Sequence, residues 1–174
     1  EFAVTELQGA PIEELIRAEL LRLHPAETIL PDNVSWQKNN LATHLSPWPA
    51  WRFEQGRCKE VLKGHFQVAT LDGYGVRGHP YAIRAAGAVL QYLEQTRPNS
   101  LKLLTGISMY HLQEFMTLDA FTRRNLELTE TIRSGKTEGS LLGVLDGSVT
   151  PMGKRLLRQW VSKPLLDLER IHSR

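Results

Sequence analysis

Residues 2–32 read FAVTELQGAPIEELIRAELLRLHPAETILPD, and the order of periodicities in this stretch sets the fold class. Phe2, Val4 and then Leu7 follow the short repeat of a strand. Pro11 has a backbone angle suited to a first helical turn. After it, Ile12, Leu15, Ile16, Leu20 and Leu23 recur at helical spacing, with Glu13, Glu14, Arg17 and Arg22 mostly off that face. Pro25 stops the helix, and Thr28-Ile29-Leu30 before Pro31-Asp32 suits a short buried strand. Strand, helix, strand is the order of a parallel α/β layer. Because the strand pattern starts at once, the chain is expected to begin inside a domain.

Further on, residues 33–50 predict a structured loop or short helix pinned by burial of Trp36 and Trp48. A helix is expected from Trp51 to Lys63, ended by Gly64, with Cys58 as a small core residue between Phe53 and Val61. Residues 66–71 read as a strand and Asp72-Gly73-Tyr74-Gly75 as a turn. Pro80 opens an apolar helix over Tyr81–Gln95, whose Ala85, Ala86, Gly87 and Ala88 permit close backbone approach. Breakers at Thr96–Ser100 set a boundary between an α/β domain, 1–100, and a helical segment, 101–174. In the latter, Leu112, Phe115, Met116 and Leu118 read as a strand, and Asp119 caps a helix reaching about Ile132. Short helical pattern covers 140–145. Thr150 and Pro151 open a third helix with Met152, Leu156, Leu157 and Trp160 on its buried face, ended by Pro164. Asp167 caps a last helix that still runs at Arg174, so the sequence reads as cut at both ends.

The chain of 174 residues is 23% charged and 41% hydrophobic, an ordinary globular composition. It lacks an apolar run of the roughly 20 residues that span a bilayer and a signal-like start, so cytoplasm is the expected compartment and no membrane partner is expected. The lone Cys58 has no second thiol for a disulfide or metal site. Net charge is +2; residues 1–100 hold ten Lys/Arg against eleven Asp/Glu, and 101–174 hold eleven against eight. That surplus is too mild to demand nucleic-acid binding through phosphates.

Residues 134–140, SGKTEGS, contain the Gly-Lys-Thr of a phosphate loop. Such a loop needs a glycine five residues before Gly135, where Glu130 stands, and a strand before it, where the pattern is helical. An exposed interhelical loop is the expected structure, and no cofactor is expected in this chain. The histidines show no metal-ligand spacing. Glu54 and Asp72 are the acids a two-metal nuclease would use, but a third strand-end carboxylate is missing. Lys154, Arg155 and Arg158 form a basic helix face beside Arg123 and Arg124. It suits either DNA phosphates or the rim of a helix bundle with pairing to Glu127 or Glu130.

Two stretches carry a resemblance: LDAFTRRNLEL at 118–128 and TPMGKRLLRQW at 150–160 resemble hallmarks of the MutS family of DNA mismatch-repair proteins. SLLGVLD at 140–146, IRAAGAVLQYLEQT at 83–96 and KPLLD at 163–167 are similar to it as well, in the same order. The resemblance implies a connector domain over 1–100, α/β of the ribonuclease H-like type with its first strands missing, then the start of a helical core or lever over 101–174. It implies a role for this piece as scaffold and transmitter rather than as enzyme. The parent would bind mismatched duplex DNA as a homodimer and be an ATPase using ATP and magnesium beyond Arg174. Within the motifs, Asp119 would cap a helix, Arg123, Arg124 and Asn125 would tie it to neighbours, and Thr150, Pro151, Gly153 and Arg155 would shape the third helix. The family's connector also docks MutL, for which Lys59, Glu60 and Lys63 on an exposed helix face are the candidate surface. Arg52-Phe53-Glu54 is only superficially similar to the family's Phe-x-Glu mismatch wedge. Two other readings stand beside this one: a ribonuclease H-like metal-dependent nuclease and a stand-alone DNA-binding domain.

Overall fold

The chain opens with a two-residue strand, β1 (Ala3–Val4), and a helix, α1 (Ile12–Leu23), that starts directly after Pro11. Two strands follow, β2 (Glu27–Pro31) and β3 (His44–Trp48), then a 3-10 turn over Ala50–Phe53 and α2 (Gln55–Phe66). The helix α3 (Pro80–Thr96) begins on its proline, and α4 (Pro98–Leu101) and β4 (Ser108–Met109) succeed it. The remainder is helical: α5 (Ala120–Asn125), α6 (Leu141–Leu145), α7 (Pro151–Ser162) and α8 (Leu168–His172). This computed structural model describes residues 2–9, 11–35, 43–116, 118 and 120–174, so the expected burial of Trp36 and cap at Asp119 lie outside the described residues. Two compact units emerge, Glu1–Glu13 with His24–His111, and Glu14–Leu23 with Leu112–Arg174.

The first unit is mixed α/β with two small parallel sheets. β1 pairs with β4, Ala3 opposite Ser108 and Val4 opposite Met109. β2 pairs with β3 from Glu27 opposite His44 to Pro31 opposite Trp48. The expected single layer through β1, α1 and β2 is therefore not formed; β1 finds its partner a hundred residues on, and most of α1 belongs to the other unit. Residues 44–48 form a strand where a loop or helix was expected, and the "buried" run of β2 is half-buried. The core is instead a helix pair. Val4, Cys58, Leu62, Leu71, Val76, Ala82, Ile83, Ala86, Leu90 and Ile107 are buried together between α2, α3 and their flanks. Gly87 makes that packing possible: a Cβ there would stand 2.5 Å from Cys58 Cα and 2.9 Å from its carbonyl oxygen. The close approach expected at 85–88 is thus realised at Gly87, with Ala86 and Ala88 buried and Ala85 exposed.

Helix α2 runs past Gly64, and residues 66–71 form no strand. Phe66 stays on the helix, where its ring lies 5.1 Å from Tyr74 and 6.5 Å from Phe2. Gln67 then turns the chain at φ 55°. One carboxylate holds the start of α3 from a distance. Glu6 Oε2 accepts from the amides of Tyr81 at 2.9 Å and Ala82 at 3.2 Å, which satisfies donors that every helix N-terminus leaves open.

In the second unit, hydroxyl and carboxylate caps begin three helices, at Thr150 and Asp167 as the sequence predicts and at Ser140, which was expected inside its helix. Ser140 Oγ accepts from Gly143, Thr150 Oγ1 from Gly153 and Asp167 Oδ1 from Arg170, at 2.9 to 3.2 Å. α5 ends at Asn125 instead of Ile132. Glu127 takes φ 45°, which swings the chain so that Glu127 and Leu128 carbonyls receive the amides of Leu141 and Leu142 at 3.0 and 2.9 Å. Around Phe115 the expected strand is reduced to a 3-10 turn over Leu112–Glu114 and one antiparallel bridge to Leu165. The face of α7 expected to be buried is not: Met152 is 80% and Leu156 46% exposed, with Leu157 and Trp160 half-buried.

Candidate functional site

Charged and aromatic side chains converge where the 3-10 turn meets α2 and α3. Arg52 lies 4.8 Å from the Trp48 ring centroid and 4.6 Å from that of Trp51. Arg57, one turn into α2, lies 4.5 Å from the same Trp51 ring, and Arg84 lies 5.5 Å from Tyr81. Hydrogen bonds hold the guanidinium groups there. Arg57 donates to Gln91 Oε1 at 3.0 Å, Arg84 to the Phe53 carbonyl at 2.7 Å, and Arg52 to the Gln95 amide oxygen, once that faces it, at 2.6 and 3.1 Å. Beneath them, the Cys58 thiol is within 3.1 Å of the Arg52 carbonyl and 3.3 Å of that of Arg84. Burial pushes this thiol up to about 11 against the opposing pull of Arg84 and Arg57, so it keeps its proton at neutral pH. The reading of the sequence missed this cluster. The density of Trp and Arg between residues 48 and 57 was the signal that could have found it.

Across the buried Cys58–Leu62 stripe, Lys59 and Glu60 are exposed as expected, but Lys63 is half-buried and donates to Glu60 at 3.0 Å. The pull of opposite charge at helical spacing accounts for that, and exposed pairs of this kind contribute under about 1 kcal/mol.

Among the described residues the nuclease reading gains no site. Glu54 stands exposed at the start of α2, Asp72 lies exposed in a 3-10 turn, and among the described residues no three His, Cys, Asp or Glu side chains are grouped to hold a metal. His44, Ser46 and Glu27 do form a chain. There the Ser46 hydroxyl donates to Glu27 at 2.5 Å while His44 Nδ1 is 3.1 Å from it. In a serine nucleophile the imidazole stands between hydroxyl and carboxylate; here the hydroxyl stands in the middle, and it clasps β2 to β3. Bonds from Ser46, then Tyr92, hold Glu27 below the usual carboxylate range.

The second unit's motif residues act on backbone. Arg123 donates from Nε to the Leu118 carbonyl at 3.1 Å and from a terminal nitrogen to that of Ser162 at 2.8 Å, so one side chain ties the entry of α5 to the end of α7. Arg124 and Asn125 are exposed. Pro151 occupies the first turn of α7, and Gly153 sits where a Cβ would meet Thr150 Oγ1 at 3.2 Å and Ser148 Cβ at 3.3 Å. Lys154, Arg155 and Arg158 are exposed on α7. The pairing expected for them with Glu127 or Glu130 is not among the ion pairs of the described residues: Arg158 donates to Thr137 Oγ1 at 3.2 Å, and Glu127 accepts the Ile132 amide at 2.6 Å. SGKTEGS is a loop as expected, turned by Gly135 and Gly139 at positive φ and exposed except at Thr137, which is half-buried, and Ser140, which is buried as the cap of α6.

Fold and side-chain chemistry together define a mixed α/β unit and a helical unit whose polar groups brace backbone. The model of MutS domain II matches residues 1–105 and that of MutS domain III matches residues 121–174. The chain belongs to the MutS family. It is 40% identical over 189 residues to the DNA mismatch repair protein MutS of Thermosynechococcus vestitus, 38% over 180 to that of Symbiobacterium thermophilum and 36% over 181 to that of Syntrophomonas wolfei. Each alignment covers 100% of this chain and 21% of the relative, so the chain spans about a fifth of their length.

Proposed function

We propose that this chain is the connector, residues 1–100, and the start of the lever, residues 101–174, of a mismatch-recognition ATPase. The observation that carries the reading is the ordered match of MutS domains II and III along one chain whose relatives are named for DNA mismatch repair. The connector is of the ribonuclease H-like type, and the parent is a cytoplasmic homodimer that holds mismatched duplex DNA and, in a separate domain, ATP with magnesium. The piece itself is noncatalytic: it transmits between ATPase and DNA and offers a docking surface. Transmission of that kind needs rigid elements with two discrete arrangements. Support comes from Arg123, whose two carbonyl bonds make α5 and α7 respond together, and from the Thr150 cap that fixes where α7 begins. Docking of MutL falls to the α2 face of Lys59, Glu60 and Lys63, where mixed charge at helical spacing offers a register to a complementary partner.

Titration of the chain against the N-terminal ATPase domain of MutL from the same organism, by interferometry at two salt concentrations, tests this. Saturable binding that charge reversal at Lys59, Glu60 and Lys63 together weakens at least about tenfold is the expected result. Binding unchanged by the triple reversal moves the docking face elsewhere. No binding by a chain with a cooperative melt removes docking from this piece and leaves it a scaffold.

A further inference from the structure

We infer that the face formed by Trp48, Trp51, Arg52, Arg57, Tyr81 and Arg84 is a docking surface for an acidic peptide segment of a partner protein. On the helix wheel, Arg57 lies on the opposite side of the buried Cys58–Leu62 stripe from Lys59 and Lys63, with Glu60 at the border, so this face adjoins the docking surface proposed above without sharing a residue with it.

Charge is the first argument. Among the described residues no carboxylate lies within ion-pair distance of Arg52, Arg57 or Arg84, although Glu54 is close in sequence. Three cations gathered with no carboxylate at ion-pair distance repel one another, and a carboxylate-bearing partner would relieve that cost. The second argument is order. Each guanidinium is laid against an aromatic ring and anchored by a hydrogen bond to Gln91, Gln95 or the Phe53 carbonyl, so little rotamer freedom is left to lose when a partner arrives. Arg57 and Arg84 are held through Nε and keep their terminal N–H edges as forks that match carboxylates, whereas both terminal nitrogens of Arg52 go to Gln95. The third is exposure: Tyr81 is 65% exposed, and Trp51 keeps 47% of its surface open with two guanidinium groups over its ring; aromatic residues and arginine are the types that dominate protein interfaces.

A peptide fits better than a nucleic acid for two reasons. Single-stranded nucleic acid stacks its bases on free aromatic rings, but two guanidinium groups already cover Trp51. Duplex DNA wants an extended basic field, whereas residues 1–100 carry ten cations against eleven anions and the positive charge is local.

The test uses the whole 174-residue chain and a short fluorescein-labelled peptide alternating Glu and Leu, read by fluorescence anisotropy. Saturable binding is expected, about tenfold or more weaker for the same peptide with Gln in place of Glu. The double variant Arg57→Gln/Arg84→Gln should lose binding to the same degree, and Lys154→Gln/Arg158→Gln on α7 should leave it unchanged. Because Arg84 also braces the Phe53 carbonyl, Arg57→Gln alone, an exposed site, provides the same reading with a smaller loss. Absence of binding by the Glu peptide, equal affinity for both peptides, insensitivity to Arg57→Gln, or displacement by a single-stranded oligothymidylate would each overturn the inference.

Discussion

Gly87 and Cys58 show how narrowly single atoms decide this core. Adding a methyl at Gly87 meets Cys58 Cα at 2.5 Å, which is backbone rather than the end of a flexible side chain. Gly87→Ala should therefore destabilise by about 1–3 kcal/mol in urea unfolding, and Cys58→Ala should fail to rescue it. The thiol makes its own prediction. Unfolded, it ionises from its ordinary 9.0 upward; folded, burial keeps the proton to about 11. Its contribution to stability is then full below about pH 9 and is lost as pH rises toward 11, because the unfolded state releases a proton that the folded state retains. Unfolding free energies measured from pH 8 to 11 should fall less steeply for Cys58→Ala than for the parent chain, and equal slopes would contradict the account. Residue roles of this local kind were legible in the sequence: a small residue between Phe53 and Val61, a glycine among alanines. The Arg–Trp face was not, because its members lie at 48–57 and 81–95 and meet only after α2 has packed on α3.

Helix starts were legible for a physical reason. Pro11, Pro80 and Pro151 suit a first turn, and Ser140, Thr150 and Asp167 carry the oxygen that an open N-terminus needs. Thr150→Ala should cost about 1 kcal/mol, measured by chemical denaturation, while Thr150→Ser should be close to neutral. Helix ends were less legible, since they depend on what the chain must do next. α2 passes Gly64 so that Phe66 can join the core, and α5 stops at Asn125 so that two carbonyls can meet α6. Strand β3 escaped notice because Pro47 and two polar residues interrupt its pattern; it exists by pairing with β2, each residue with a partner seventeen positions earlier.

At the scale of the whole chain, the two units are unequally built. The first buries ten residues in one cluster, whereas the buried side chains of the second are Glu19, Ser140, Leu142 and Leu165 among those described, with Phe121, Val144, Met152 and Leu168 each more than two-thirds exposed. Amide exchange should accordingly show strong protection in α2 and α3 and weak protection in α5–α8; uniform protection would contradict this reading. The path of the backbone adds a consequence of another sort. The chain leaves the first unit after Glu13, returns at His24 and leaves again after His111, so α1 is a loan from the early sequence to the late one. No single cut yields two finished pieces: 1–111 would carry the half-buried Leu15, Ile16 and Leu20 without their neighbours, and 112–174 would lack a helix. Expressed separately, the two halves are built to behave as a split protein, each unfinished alone and mended by the other.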